Sequence, residues 1–522
     1  MPPPVPPTIS ARRLPELVAG LAAGTKVPDV AVADLALDSR QVRRGGLFLA
    51  CRGSRHHGLD FLPQALANGA GALLWEPTRS VGSQGAASPG VEPPPDLPIP
   101  AIPVEDLSRR AGEIAARFFD HPARQLHAVG ITGTDGKTST AWLLAQALEA
   151  LGEPCLYLGT LGYGRVGALA PGDHTTPDPV SLQRRLREAR DAGVGVVAME
   201  VSSHALDQAR VAAVAFHTAV LTNVGRDHLD YHGTLEAYAA AKKKLFTELR
   251  PAAAVLNRDD PAGAAWAREF AGAGHRLTLY GLDGDAPGAR HVIGRSLSLR
   301  ASGIAFEVTS HAGRARIDSR LLGRFNARNL LAALAALLEK GVALPRACAA
   351  LSAAATVPGR IEGFRGPHAA ALVVVDYAHT PQALAQVLHA VRAHCRGKMW
   401  CVFGCGGDRD RGKRPLMGAA AAQAADRVIV TDDNPRSEDP AAIVREIQSG
   451  FPAGFSAPVI HDRAEAIRTA VREAGADDVV VVAGKGHEEY QQYGQDRRVF
   501  SDRAFVAQLV GRAPEGGARG RG

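Results

Sequence analysis

Four apolar runs in the last third of the chain constrain the fold more than any other feature. They are "AALVVVDY", "KMWCVFGC", "DRVIVTDD" and "DDVVVVAG", and each is followed by a helical segment. Short apolar runs that alternate with helices are typical of strands buried on both faces of a parallel sheet. The sequence therefore predicts an α/β fold with a parallel sheet in its carboxyl-terminal part.

A polar segment follows each of these runs: "DYAHTP", "GCGGDRDRGKR", "DDNPRSEDP" and "GKGHEEY". In open parallel sheets, ligands bind at the carboxyl ends of the strands, where such segments meet. The four segments together predict a binding site at one edge of this sheet.

Strand and helix patterns also alternate from Leu126 to Leu351, with a strand-rich insertion near residues 290 to 320, and a small α/β unit occupies residues 30 to 76. A length of 522 residues suits about three domains at roughly 100 to 200 residues each. We predict domains at residues 1–124, 125–357 and 358–522. The Pro, Gly and Ser rich residues 77–100 predict a flexible loop, and residues 513–522 a disordered tail.

Composition excludes several classes of function. The net charge of +7 is mild and no block of like charges stands out, so we expect no nucleic-acid partner. No apolar run approaches the roughly 20 residues that span a bilayer, and the start lacks a signal-peptide pattern. Six scattered cysteines predict reduced packing thiols. We therefore expect a cytoplasmic protein without a membrane partner, and we separately expect a monomer.

The stretch "GITGTDGKTS", residues 130–139, lies between the strand "QLHAVGI" and the helix "KTSTAWLLAQALEALG". A full P-loop would have glycine where Ile131 stands. The alternative is a tight turn that caps the helix, but such a turn has no use for Lys-Thr-Ser. We predict phosphate binding by the backbone amides and Lys137, with Mg²⁺ held by Thr138 or Ser139.

This variant, Thr-Gly-Thr-x-Gly-Lys-Thr, resembles the loop of the Mur ligase family, the ATP-dependent amino-acid ligases of peptidoglycan precursor synthesis. The resemblance runs from "LALDSR" to "GKGHE" through "HTTPD", "MEVSSHALDQAR", "TNVGRDHLDYHGTLEAYAAAKKKLF", "GRFNARNLLAA", "VPGRIEGF", "VVDYAHTP", "GCGGDRDRGKRPLMG" and "DDNPR". It implies addition of meso-2,6-diaminopimelate to UDP-N-acetylmuramoyl-L-alanyl-D-glutamate through an acyl phosphate. It also implies a UDP-binding first domain, a central ATPase domain and a Rossmann-like third domain that receives the amino acid.

The resemblance implies residues for both nucleotide substrates. For ATP they are Gly133, Thr134, Asp135, Gly136, Lys137, Thr138, Ser139, Asn326, Arg360, Asp376 and His379. For the muramoyl dipeptide they are Leu37, Ser39, Thr175, Thr176, Ser202, Gln208, Arg210 and a carbamylated Lys242. Two positions depart from the family pattern, since Asp135 and His174 stand where asparagine is usual.

The predicted catalytic residues are Lys137, Glu200, His228 and Lys242, and the predicted Mg²⁺ ligands are Thr138, Glu200, His228 and Lys242. Each has a plainer alternative. Glu200 could be an acid at a helix N-terminus, and His228 a surface hydrogen-bonding group. Successive residues of a helix point about 100° apart, so one of Lys242, Lys243 and Lys244 faces inward, unless all three form a solvated basic face.

The resemblance places diaminopimelate at Arg409, Asp433, Asn434, Pro435, Arg436, Gly484 and Glu488. Arg436 would grip the distal carboxylate with paired hydrogen bonds, and Arg409 would be a second cation. Alternatively, Arg436 pairs with Glu438 or Asp439. L-lysine or L-ornithine is the alternative for the amino acid that is added. Two alternatives for the whole protein are a folylpolyglutamate synthase and a P-loop ATPase without an amino-acid acceptor, but each accounts for fewer of the sequence segments quoted above.

Overall fold

The computed structural model describes residues 10–22, 24–53, 56–77, 92–272, 274, 276–285 and 290–511. Most of the predicted flexible loop and the whole predicted tail lie outside these residues. The chain divides into two compact units: the first comprises Met1–Ala141 and Leu148–Thr278, and the second comprises Trp142–Ala147 and Leu279–Gly522. All six cysteines are free. No helix in the described part of the chain is long and apolar enough to cross a membrane.

The first unit contains strands that form a small sheet and a larger one. The strands are β1 (Arg12–Arg13), β2 (Ala31–Val32), β3 (Leu35–Ala36), β4 (Gly46–Ala50), β5 (Ala70–Trp75), β6 (Ala101–Pro103), β7 (His127–Thr132), β8 (Cys155–Gly159), β9 (Gly162–Arg165), β10 (Ala168–Ala170), β11 (Val196–Glu200), β12 (Phe216–Leu221) and β13 (Ala253–Asn257). Parallel strands β3 to β6 form a four-stranded sheet. In the larger sheet the strand order is β10-β9-β8-β11-β7-β12-β13, and the strands from β8 to β13 are parallel. Strands β1 and β2 pair with each other.

Helices connect these strands. They are α1 (Leu14–Leu17), α2 (Leu62–Ala67), α3 (Leu107–Phe118), α4 (Lys137–Ala150), α5 (Pro179–Asp191), α6 (Ser203–Asp207), α7 (Leu229–His232), α8 (Leu235–Thr247) and α9 (Pro261–Gly272), with 3₁₀ turns at Ser39–Gln41, Gly58–Phe61 and Pro122–Gln125. Since β7, β11 and β12 are adjacent and parallel, the loops at their carboxyl ends lie side by side.

Strand β14 (Leu277–Leu282) crosses the boundary between the units, and the second unit follows. Its strands are β15 (Arg290–Arg300), β16 (Gly303–Ser310), β17 (Gly313–Ser319), β18 (Glu362–Gly366), β19 (Ala369–Asp376), β20 (Met399–Phe403), β21 (Arg427–Val430), β22 (Val479–Ala483), β23 (Tyr490–Tyr493) and β24 (Asp496–Val499). Its helices are α10 (Arg324–Glu339), α11 (Leu344–Ala353), α12 (Pro381–Arg392), α13 (Lys413–Ala424), α14 (Pro440–Gln448), α15 (Arg463–Glu473) and α16 (Asp502–Leu509).

The four apolar runs form β19 to β22, and the predicted parallel sheet is confirmed. The order is β18-β19-β22-β20-β21, in which only the edge strand β18 is antiparallel. Val374 packs in a core with Leu388 of α12, while the next residue back, Val373, packs on the other face with Ile467 of α15. Because helices cover both faces, these strands are apolar except at two end positions, Asp376 at the end of β19 and Arg427 at the start of β21. The α/β class is confirmed, whereas the three domain boundaries stay a prediction.

Candidate active site

The loop between β7 and α4 is held in shape by the residues that follow β12. Gly133 has φ +149°, and a Cβ there would lie 1.8 Å from Thr222 Oγ1, so this position needs glycine. Thr222 Oγ1 donates a 2.6 Å hydrogen bond to the Asp135 carbonyl oxygen. The Asp135 amide donates to Asn223 Oδ1 at 3.0 Å. Sequence reasoning missed Thr222 and Asn223, although both stand in the quoted segment "TNVGRD".

Two lysines share one acceptor in this loop. Lys137 Nζ and Lys242 Nζ each donate a 2.8 Å hydrogen bond to the Gly133 carbonyl oxygen. Lys242 is 1% exposed, and its Nζ lies 4.2 Å from the centre of the Tyr238 ring. Burial, reinforced by the positive charge of Lys137, lowers the pKa of Lys242 to about 6. Lys242 is therefore a neutral amine at neutral pH.

The orientation of α8 explains why this lysine is buried. Thr234 caps the helix by accepting a hydrogen bond from the Ala237 amide. Lys243 and Lys244 are partly exposed, and they pair with Glu269 and Asp207, respectively. As expected, one of the three lysines faces inward, and the fully solvated alternative is wrong for Lys242.

Glu200 is fully buried at the end of β11 and faces the phosphate loop. Its carboxylate accepts hydrogen bonds from Thr138 Oγ1 at 2.8 Å, from the Tyr157 hydroxyl at 2.7 Å and from the Thr160 amide at 2.8 Å. Burial, with the charge of Glu200 beside it, raises the pKa of Tyr157, which remains a hydrogen-bond donor. The helix-capping role belongs to Ser202, which caps α6, and not to Glu200.

The oxygens of Thr138 and Glu200 suit Mg²⁺, which proteins usually bind through one or two carboxylates together with substrate phosphates and water. Within the described ranges no group of three His, Cys, Asp or Glu side chains is arranged to hold a metal ion by itself. A site here would therefore depend on ligands from the substrate or from a modified Lys242.

His228 lies in the loop before α7 with φ +51°. About half of its side chain is exposed, and its Nε2 is 3.4 Å from Asp227 Oδ2. Its ring centre is 4.8 Å from that of His204 and 6.2 Å from that of Tyr238, one helical turn before Lys242. The structure thus places His228 near the buried lysine, and its role as a metal ligand stays a prediction.

Five of the residues predicted for the muramoyl dipeptide form one hydrogen-bonded group. Thr176 Oγ1 donates to the Glu200 carbonyl oxygen at 2.9 Å and accepts from the Ser202 amide at 3.1 Å. Arg210 donates to the Thr176 carbonyl oxygen at 3.0 Å and through Nε to Gln208 Oε1 at 2.8 Å. The Thr175 hydroxyl is 3.1 Å from that of Thr160, which also contacts Glu200. This group of residues therefore lies beside Glu200, one of the predicted metal ligands.

Apart from Lys242, the two remaining dipeptide residues belong to the four-stranded sheet region of the same unit. Ser39 is buried and donates a 2.6 Å hydrogen bond to Gln64 Oε1. Leu37 is half-buried against the core of that region. His174, one of the two departures from the family pattern, is exposed, and so is the Asp135 side chain. The structure leaves both departing side chains at the surface.

The four remaining residues predicted for ATP lie in the second unit, and two of them have their polar atoms engaged within the protein. Asn326 is buried and donates a 2.8 Å hydrogen bond to the Leu322 carbonyl oxygen. Asp376 is buried and accepts 2.7 Å hydrogen bonds from the amides of Ile361 and Ala378. Burial raises the pKa of Asp376. Through these hydrogen bonds, the two side chains fix the conformation of the backbone around them.

Arg360 and His379, in contrast, are exposed beside one aromatic ring. The Arg360 guanidinium lies 5.0 Å from the centre of the Tyr377 ring, and the His379 ring lies 4.6 Å from it. Their polar groups are accessible to a ligand.

The loops after β21 and β22 meet as predicted. Asn434 Nδ2 donates to Glu488 Oε2 at 3.0 Å, and Lys485 Nζ donates to the same oxygen at 2.9 Å. A Cβ on Gly484 would lie 2.6 Å from Asp433 Oδ2, so the two loops are in close contact there. Burial raises the pKa of Asp433. Lys485 was missed by sequence reasoning, although it stands in "GKGHE".

Arg436 pairs with neither of the carboxylates considered as alternatives. Glu438 accepts two hydrogen bonds from the buried Arg414, at 2.8 and 2.9 Å, and Asp439 caps α14. Arg436 Nη1 donates to the Gly407 carbonyl oxygen at 2.7 Å. In the part of the chain that the structure describes, no ion pair includes Arg436, so the pairing alternative is wrong. Arg409 is exposed, whereas Pro435 is buried.

Comparisons with known proteins agree across the chain. Three family models match successive segments: "Mur ligase family, catalytic domain" at residues 32–119, "Mur ligase middle domain" at 131–337 and "Mur ligase, glutamate ligase domain" at 359–486. A UDP-N-acetylmuramoyl-L-alanyl-D-glutamate–2,6-diaminopimelate ligase of Alkalilimnicola ehrlichii is 52% identical, covering 93% of this chain and 96% of the relative. The Xanthomonas campestris protein of that name is 48% identical over 92% and 94%. A solved structure of that name has a TM-score of 0.75 and 35% identity, covering 96% of this chain and 99% of its own.

Proposed function

We propose that this chain, which belongs to the Mur ligase family, is the ATP-dependent ligase that joins 2,6-diaminopimelate to UDP-N-acetylmuramoyl-L-alanyl-D-glutamate. The relatives that carry this name align over more than nine tenths of the chain and of their own length. The reaction has two steps. The dipeptide carboxylate attacks the γ-phosphorus of ATP and ADP leaves; then the amine of diaminopimelate attacks the acyl phosphate, and phosphate and a proton leave.

The loop Gly133–Ser139 would hold the ATP phosphates. Its backbone amides and the start of α4 provide the positive end of a helix, and Lys137 provides a charge. In the structure Lys137 donates to the Gly133 and Thr134 carbonyl oxygens, both at 2.8 Å. Binding of phosphate would replace these neutral acceptors with charged ones, which form stronger hydrogen bonds. Lys137 would then stabilise charge on the transferred phosphoryl group.

Mg²⁺ would be held by Thr138, Glu200, His228 and a carbamylated Lys242, and it would neutralise charge on the phosphates. The neutral Lys242 amine supports carbamylation. Its nitrogen attacks the carbon of CO₂, a new N–C bond forms, one C=O π bond becomes the carboxylate, and the proton passes to solvent. The modified side chain offers oxygen ligands where the unmodified one offers none.

One observation carries the choice of amino acid: the Arg436 guanidinium, which donates to the Gly407 carbonyl oxygen at 2.7 Å, forms no ion pair with a carboxylate among the described residues. A diaminopimelate side chain ends in an amino-acid head, so its distal carboxylate can pair with Arg436. Its distal ammonium can bind Glu488 and the Asn434 carbonyl group. Lysine and ornithine have no distal carboxylate, and they would leave Arg436 unpaired.

The test compares amino acids on the wild type and on Arg436→Ala, with ATP, Mg²⁺ and the muramoyl dipeptide present. We expect kcat/KM for diaminopimelate to exceed that for L-lysine and L-ornithine in the wild type. Losing a charge-assisted bidentate pair should cost about 2 to 4 kcal/mol, or about 30-fold to 1000-fold in kcat/KM. Arg445→Ala is the matched control, because Arg445 is exposed on α14 and only 3.6 Å from Asp439 in a surface pair.

Two results would overturn the proposal. Equal ATP turnover with and without the muramoyl dipeptide would exclude the ligase reaction. A wild-type preference for lysine or ornithine, or unchanged diaminopimelate use by Arg436→Ala, would exclude the assigned amino acid.

A further inference from the structure

The backbone of Arg436 is held in an unfavourable conformation by a neighbouring hairpin. Its φ of +53° lies in the left-handed region, which residues with a Cβ rarely adopt. The Arg436 amide donates to the Gln492 carbonyl oxygen at 3.0 Å, and the Gly494 amide donates to the Arg436 carbonyl oxygen at 2.6 Å. Arg436 and Tyr493 thus form a single parallel bridge. The hairpin β23–β24 supplies the contacts that keep this turn.

The hairpin also contacts Asn434, which is predicted to bind the distal end of the amino acid. The Gln492 amide donates to Asn434 Oδ1 at 3.0 Å. This bond fixes which end of the Asn434 amide faces the hairpin, and it leaves Nδ2 directed at Glu488. One short strand therefore orients both Asn434 and Arg436.

Tyr493 anchors this strand to the end of β21. Its hydroxyl donates a 3.0 Å hydrogen bond to Asp432 Oδ2, and the other carboxylate oxygen of Asp432 lies 2.8 Å from His461 Nδ1. Asp432 is 6% exposed. Gln491 adds a bond from its Nε2 to the Asp433 carbonyl oxygen at 3.0 Å. A buried carboxylate with fixed partners is a rigid anchor for the hairpin.

We propose that Tyr493 is a positioning residue for amino-acid selectivity: through Asp432 it holds the hairpin against residues 434–436, so that the Arg436 guanidinium meets the distal carboxylate of the incoming diamino dicarboxylic acid. This inference rests on the proposed function. It assigns selectivity to a segment, "YQQYGQDRRV", that contributes no predicted substrate-binding side chain.

Tyr493→Phe keeps the ring and removes the hydroxyl that bonds Asp432. We expect the KM for diaminopimelate to rise about fivefold to twentyfold, toward the lower end of the effect of one hydrogen bond to a charged group, because the loss reaches the substrate only through residues 434–436. The kcat and the KM values for ATP and the muramoyl dipeptide should stay within about twofold, because these substrates do not meet Arg436. A general loss of structure would change all of these constants together. Val499→Ala, an exposed position on the same hairpin, is the control.

A double-mutant cycle with Arg436→Ala decides whether Tyr493 acts through Arg436. We expect the effect of Tyr493→Phe on the KM for diaminopimelate to fall to about twofold or less once Arg436 is alanine, because only the bond between the hairpin and Asn434 is then left to be disturbed. The same fold-increase in both backgrounds, or no increase in the wild-type background, would overturn the inference. If the wild type adds no diaminopimelate at all, the proposed function fails first, before any variant is compared.

Discussion

The surroundings of the buried Lys242 favour the neutral amine that the proposed carbamylation requires. A protonated Lys242 would place a second ammonium on the carbonyl oxygen that already accepts from Lys137. Burial and this repulsion lower its pKa to about 6, so the amine is neutral above that pH. The neutral form is the one that reacts with CO₂. An unmodified lysine at this position is thus suited to become a carboxylate.

Lys242→Ala should lower kcat by about 100-fold or more, because it removes the proposed carbamate, a negatively charged ligand for Mg²⁺. Formate or acetate, which can supply a carboxylate in the vacated space, should restore part of the activity. Lys243→Ala is the matched control, since Lys243 is partly exposed and pairs with Glu269. Steady-state rates with and without added carboxylate provide the measurement. Full activity of Lys242→Ala would exclude a role for the carbamate.

The same lysine gives a pH dependence of defined sign. Since its pKa is about 6 in the folded protein, the ammonium predominates below pH 6 and the amine above it. Enzyme depleted of CO₂ should therefore recover activity with bicarbonate slowly at pH 5.5 and faster at pH 7.5, when all samples are assayed at one pH. Recovery that is equally fast at both values would contradict this reading.

Helix geometry could predict that one of three successive lysines faces inward, and the resemblance to the Mur ligase family selected Lys242 among them. Sequence patterns could not identify Thr222 or Asn223, since their roles depend on hydrogen bonds to residues far along the chain. Thr222 and Asn223, for example, hold Asp135 across more than 80 positions. Hydrogen bonds between residues so far apart cannot be predicted from a single sequence unless both residues belong to a known motif.

At the scale of elements, the sequence predicted the buried strands β19 to β22 because their apolar runs are uniform. It did not predict the hairpin β23–β24, whose residues are polar. The stretch "YQQYGQDRRV" lacks an apolar alternation, and β24 is exposed along its length. The hairpin is instead stabilised by hydrogen bonds from Tyr493 and Gln491 to the end of β21. Hydrophobic periodicity gives no signal for an element that is held by polar contacts.

Helices α15 and α16 are joined by a buried ion pair that we expect to be important for stability. Arg463 donates two 2.7 Å hydrogen bonds to Asp502, and both side chains are inaccessible to solvent. Asp502→Asn would leave an uncompensated buried guanidinium, at a cost of about 3 to 5 kcal/mol in the free energy of unfolding. Asp496→Asn breaks the exposed pair with Arg498 and should cost about 0 to 1 kcal/mol. Urea denaturation of both variants and the wild type gives the comparison, and equal stabilities of the two variants would refute the assignment.

For the molecule as a whole, the predicted ligand sets fall in different units. The muramoyl dipeptide residues all lie in the first unit, and the diaminopimelate residues all lie in the second. The motifs could assign each set to a segment of the chain. The motifs could not predict how the chain divides into its two compact units, because residues 142–147 of α4 belong to the second unit. The predicted boundaries near residues 124 and 357 follow sequence patterns, and no observation yet tests them.

Hydrogen exchange should reveal this division of ligands. With the muramoyl dipeptide and a non-hydrolysable ATP analogue already bound, adding diaminopimelate should slow exchange at residues 404–411, 433–438 and 484–494 of the second unit. The reason is that the amino acid would bridge Arg436, Asn434 and Glu488, so the loops that carry them, and the hairpin bonded to Arg436, open less often. L-lysine at the same concentration is the control, because without a distal carboxylate it cannot pair with Arg436, and it should protect residues 433–438 less. Mass spectrometry of peptides from each segment makes the comparison. Equal protection of residues 433–438 by lysine and diaminopimelate, or protection by diaminopimelate confined to the first unit, would show that Arg436 does not select the amino acid.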